Sequence, residues 1–285
     1  MTSSEIIFES YNRVVERSYD RAFEESGKDD PLKVRESNVS RFLDEEIGTW
    51  ETTPLAEIEG LTPKEYFGRL ADFDDVVDHV KIGAKMCDRG LPELLVDKLM
   101  SYGSRAVDAL LQMASDRNML EKEDDIYIPL IAVRILGERR VSAANNFLVE
   151  LIKTLNEDKE LMVEEITDAL INIGEPCVGV LISELDNTDE IGYIHEYLLT
   201  ALVKIGKERK TDEIYRCIKN TFLKMDDKIL GAMCVGDYGD GRAIPALKGY
   251  VKKNAGKLDK QTFLEIKAAV KRLGGIVEDM DGDFA

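Results

Sequence analysis

A six-residue pattern recurs five times in the C-terminal half of this chain: small residue, aliphatic, two variable positions, aliphatic, glycine. It reads AVRILG at Ala132–Gly137, ALINIG at Ala169–Gly174, ALVKIG at Ala201–Gly206, CVGDYG at Cys234–Gly239 and AVKRLG at Ala269–Gly274. The five glycines are spaced by 37, 32, 33 and 35 residues. A motif held at such a period marks a stack of like units, each too small to bury its apolar face without a neighbour.

The unit can be read from the copy ending at Gly174. Met162, Ile166, Ala169, Leu170 and Ile173 fall on one stripe of an α-helix. Pro176 stops the helix, and Val178, Leu181, Ile182 and Leu185 begin a second one. After Gly137 the residues Val141, Ala144, Leu148, Leu151, Ile152 and Leu155 repeat that cadence. The small residue of each motif is expected to let neighbouring hairpins approach. The glycine is expected to make the turn, so positive φ is predicted at both Gly174 and Gly206.

These residues carry a family resemblance. The chain resembles the HEAT-like repeat proteins of the short type found in phycobilisome lyases and bacterial relatives, from about Phe73 to Gly275. The stretch GDYGDGRAIPAL, Gly236–Leu247, is the closest match to that family's junction. The resemblance implies an all-α, right-handed α-solenoid of HEAT-like hairpins. Tetratricopeptide repeats fit poorly, because their fixed period of 34 and their Trp, Tyr and Pro cadence are missing. Upstream, Gly103 lies one period before Gly137, with Lys98 in the small position, and Phe73–Asp88 with Leu91–Ser101 forms another hairpin joined at Arg89–Gly90.

Residues 1–70 show no repeat and read as a helical extension. Ile6–Glu25 and Val34–Ile47 read as amphipathic helices, Trp50–Pro54 and Leu55–Gly60 as ordered loop. Thr62, Pro63 and Glu65 form a capping box that starts a helix. The repeats then fill 71–275, and 276–285 reads as an acidic tail with no second helix.

The opening MTSSEIIFES lacks a basic leader, and no apolar run approaches the roughly 18 residues of a membrane helix. Four scattered cysteines, Cys87, Cys177, Cys217 and Cys234, fit reduced thiols. A cytoplasmic protein is expected. The net charge of −18 opposes nonspecific binding to nucleic acid or membrane. The charge is uneven: 151–200 holds 2 basic and 12 acidic residues, 201–274 holds 17 and 9.

Chemistry finds little support. Deoxyhypusine hydroxylase, a HEAT-like enzyme, binds two irons through repeated His-Glu pairs. Here only His195-Glu196 has that form, His79 being the other histidine, so no metal site and no cofactor are expected. Asp279, Asp281 and Asp283 faintly match a calcium loop but lack its length and closing glutamate. No GxSxG or GxxxxGK is present, and no catalytic residue is assigned. What remains is a basic run. Between Gly241 and Leu258 stand Arg242, Lys248, Lys252, Lys253 and Lys257 with no acid among them. Arg242, Lys248, Lys252 and Lys253 are the candidate binding residues, for an acidic peptide or protein segment. The expected function is a non-catalytic protein-interaction scaffold whose second helices carry the binding face. Two alternatives are a nucleic-acid-contacting repeat protein, which would bring basic character and aromatic residues to a groove, and a lyase-like enzyme related to bilin lyases.

Overall fold

Local signals place the first helices of the computed structural model, which describes residues 2–25, 36–122, 125–278 and 280. The fold is all-α. By contacts the chain divides into two units, residues 1–135 and 136–285.

In the first unit, α1 (Ser3–Glu25) and α2 (Glu36–Thr52) form an antiparallel pair. Trp50 Nε1 donates to Ser10 Oγ at 2.9 Å, and its ring meets Tyr11 at 5.2 Å between centroids. At the far end Arg21 and Arg41 cover the Phe42 ring from 4.4 and 4.5 Å. Trp50 therefore belongs to a helix and not to the loop expected from the sequence. Its indole needs both an apolar wall and a hydrogen-bond partner, and α1 offers both. The start of α2 expected at Val34 lies outside the described residues.

Thr62 caps α3 (Pro63–Arg69) with the expected box, Glu65 N–H donating to Thr62 Oγ1 and Thr62 N–H to Glu65 Oε2. Asp72 caps α4 (Phe73–Met86), which turns at Gly90, φ 97°, into α5 (Glu93–Met100). Then come α6 (Ser104–Ala114) and α7 (Arg117–Glu121). Helix α1 packs on α4 so closely that a Cβ at Gly83 would lie 2.9 Å from the Phe8 ring.

Helix α8 (Tyr127–Glu138) spans the division between the units. The second unit continues with α9 (Asn145–Ile152), α10 (Glu160–Ile173), α11 (Val178–Asn187), α12 (Tyr193–Gly206), α13 (Asp212–Lys224), α14 (Lys228–Tyr238), α15 (Ile244–Lys253) and α16 (Lys260–Arg272). Alternate helices are neighbours. The motif helices α10, α12, α14 and α16 pack in sequence, and α9, α11 and α13 form a second row. The small residues Ala132, Ala169, Ala201, Cys234 and Ala269 are all buried, as are Met162, Ile166, Leu170 and Ile173 on the stripe read from the sequence.

The motif glycines divide into two physical kinds. Gly174, Gly239 and Gly274 have φ of 80°, 74° and 81°, which favours glycine because it has no Cβ. Gly206 is the last residue of α12 and has no positive φ, against the expectation. It is small for another reason: a Cβ there would lie 2.9 Å from Ile214 Cγ2 and 3.2 Å from the Tyr238 ring. Gly137 also sits inside its helix, with Ala169 Cα 2.6 Å from the position of a Cβ, and the turn moves to Arg140 at φ 49°.

Polar ties join equivalent turns about one repeat apart. Asn145 Nδ2 donates to Pro176 O at 2.9 Å, Lys210 Nζ to Gly239 O at 2.8 Å and Tyr215 OH to Arg242 O at 2.9 Å. Tyr238 OH donates to Thr211 O and accepts from Thr211 N–H. After Gly275 the described chain is not helical. Met280 is buried and its carbonyl accepts from Lys267 Nζ at 3.3 Å. Asp279, Asp281 and Asp283 lie outside the described residues.

Candidate functional site

The basic run forms a turn and one helix. Asp240 accepts from Arg242 N–H at 3.0 Å, which shapes the 3-10 turn Gly241–Ala243, and Pro245 fits the first turn of α15. The Arg242 guanidinium is heavily engaged. It donates to both Asp240 carboxylate oxygens, to Asp212 Oδ1 at 2.6 Å, and lies 4.4 Å over the Tyr215 ring. Hydrogen bonding from Arg242 holds the Asp240 carboxyl below the usual carboxylate range. Arg242 is thus a strut between its own turn and the start of α13. Lys248 is half-buried on α15, whereas Lys252 and Lys253 at the helix end are exposed. Lys248 and Lys252 share a helix face four residues apart.

A second site escaped the sequence reading. A cleft of about 740 Å³ opens where the loop after α9, the end of α11 and the start of α12 meet, lined by Lys153, Asn156, Glu184, Tyr193 and His195 among others. Lys153 Nζ bonds Glu184 Oε2 at 3.0 Å and Glu150 Oε1 at 3.1 Å, and those carboxylates raise its pKa. His195 Nε2 lies 3.6 Å from Glu184 Oε1. Its Nδ1 accepts from Gly192 N–H at 3.3 Å, so in the neutral ring the proton sits on Nε2. The sequence showed His195 as half of a His-Glu pair, but its partner is Glu184 on another helix. Only packing reveals that.

Among the described residues no cluster of His, Cys, Asp or Glu could hold a metal ion. All four cysteines are buried, and burial pushes each thiol up to about 12, far from the thiolate a nucleophile requires. No single helix among the described residues is long and apolar enough to cross a membrane. Comparison of the chain with protein-family models, with curated proteins and with solved structures finds no match.

Proposed function

We propose that the chain is a cytoplasmic HEAT-like repeat scaffold that binds other proteins and carries no chemistry of its own. The observation behind this reading is the pair of helix rows in the second unit, where motif helix packs on motif helix with the small residue buried each time. Such rows give large surfaces from short units, and continuing them through 71–275 as a right-handed superhelix completes the architecture. Half-buried Lys248 on α15, with Lys252 and Lys253 at its exposed end, is a contact for an acidic segment of a partner. Arg242 supports that helix through Asp212 and Asp240.

The test is affinity capture from the source cell, followed by reconstitution with the purified partner. A stoichiometric complex is expected, and Lys248→Glu with Lys252→Glu should slow its association more than it speeds dissociation. A purified chain that turns over a pigment or another small molecule, or a captured protein that fails to reconstitute, would refute the scaffold reading.

A further inference from the structure

The cleft beside α11 is lined mostly by charge of one sign. Glu157 and Asp158 from the turn after α9 and Glu184 from α11 stand against a single ammonium, Lys153, with His195 neutral. Lys153 is already shared between Glu184 and Glu150. Outside the lining, Lys224 Nζ is held on Asp186 O and Thr188 O at the end of α11. Adding Glu150 and Lys224 to the lining groups leaves four carboxylates to two ammonium groups. The loop after Thr188 carries Asp189 and Glu190, both exposed.

These acids surround a cavity that holds a free acceptor. Lys153 bonds Glu184 Oε2, whereas Oε1 accepts no hydrogen bond among the described residues. Its ion-pair neighbour, His195 Nε2, stands 3.6 Å away, too far for one. Oε1 is reachable from solvent, since no fully buried side-chain polar atom among the described residues lacks a partner. The Glu184 side chain is only 20% exposed, so a charge-assisted bond to it is less screened than one on the open surface. Half-buried Tyr193 lines the same cleft, its ring braced edge-on by Tyr197 at 5.1 Å. Leu155 and Ile194 add apolar surface. The volume of about 740 Å³ is that of a cleft for an organic group, within the usual range of about 300–1,000 Å³. An anion fits poorly, because it would have to displace Glu184 from Lys153 and would meet Glu157 and Asp158.

We infer that this cleft receives a guanidinium group, carried on an arginine in an extended segment of a partner protein. The occupant rests on the scaffold reading. It adds a second contact, opposite in charge to that of α15, at the ends of the second-row helices α9 and α11. A guanidinium suits the lining better than an ammonium does. It is planar and weakly hydrated, so one edge can donate to Glu184 Oε1, other N–H groups can reach the rim carboxylates, and its face can lie on Tyr193. A lysine ammonium is a strongly hydrated point charge that gains less from the ring. Lys153 acts against the ligand, because it neutralises the carboxylate that the guanidinium uses. Its removal should therefore strengthen binding. That sign separates this site from one in which Lys153 itself holds the ligand.

The probe is a short, labelled, end-blocked peptide with a central arginine among glycine and serine. It is titrated onto the full chain by anisotropy at about 50 mM salt, where exposed charges are weakly screened. Lysine, citrulline or glutamate replaces the arginine in the controls, and agmatine, a guanidinium without a peptide, is the competitor. The arginine peptide should bind saturably, the lysine peptide more weakly, and the citrulline and glutamate peptides not at all. Glu157→Gln with Asp158→Asn, both exposed, and separately Glu184→Gln should each weaken binding about threefold or more, with helical content unchanged by circular dichroism. Lys153→Met should tighten it about threefold, since Glu184 and Glu150 lose their ammonium. Weaker binding on Lys153→Met, or equal binding of the citrulline peptide, overturns the inference. Agmatine that binds as tightly as the peptide overturns a partner segment as the occupant. If only the glutamate peptide binds, and Lys248→Glu with Lys252→Glu abolishes it, the scaffold reading stands and this site falls. If no peptide binds, the site falls, and capture alone decides the scaffold reading.

Discussion

At the residue scale, one letter of the repeat has two physical meanings. Gly137 is small because the backbone of Ala169 occupies the space of its Cβ, whereas Gly174 is glycine because its φ is 80°. Gly137→Ala should be costly, on the order of 1–3 kcal/mol, since a backbone atom cannot swing aside. Gly206→Ala meets side-chain atoms of Ile214 and Tyr238, so repacking should make it the milder change. Gly174→Ala should cost about 1 kcal/mol or more through backbone strain. Urea unfolding of the three variants checks the order, and equal losses at Gly137 and Gly206 would contradict it. The cysteines give a second prediction. Burial raises each thiol from 9.0 to about 12, so the folded chain keeps its protons while the unfolded chain ionises. Their contribution is complete below pH 9 and is lost as pH climbs towards 12. A thiol reagent at pH 8 should label none of the four until urea unfolds the protein. Rapid labelling of any one in buffer would show that its burial is misjudged.

At the element scale, the helices were legible wherever a local signal sufficed. The capping box at Thr62 and the apolar stripe of α10 required no tertiary information. Trp50 did, because tryptophan next to threonines and a proline reads as loop until α1 supplies Ser10 and Tyr11. Trp50→Phe keeps much of the ring but removes the indole donor, so a stability loss of about 1 kcal/mol or more is expected from thermal unfolding. No loss would mean that α1 and α2 are held by apolar contact alone. The cleft was illegible for a similar reason. Lys153, Glu184 and His195 come from three separate segments, and no spacing rule links a lysine to a glutamate 31 residues later. The basic run was legible as composition, while the commitment of Arg242 to Asp212 and Asp240 was not.

At the scale of the whole molecule, charge separates along the chain, with 2 basic and 12 acidic residues in 151–200 against 17 and 9 in 201–274. The net charge of −18 opposes a polyanion, and the lysines of α15 are few. A labelled DNA duplex at about 150 mM salt should show no saturable binding, because each phosphate contact is weakened as salt rises. Saturable binding lost on Lys248→Glu with Lys252→Glu would restore the nucleic-acid reading. The repeat period was visible because every unit meets the same burial problem. Partner chemistry was not, since the surroundings of an exposed side chain such as Leu161 or Met233 depend on which helices are set side by side.

The ties between successive turns bear on how the chain is made. Thr211 O accepts from Tyr238 OH, and Asn145 reaches Pro176 O. While a repeat is leaving the ribosome, these groups have only water to bond. At about 5–20 residues per second, the 27 residues from Thr211 to Tyr238 take about 1–5 s to synthesise. Each turn is therefore completed by chain that does not yet exist when its own helices can first form, and the newest repeat remains open until the next one arrives to close it.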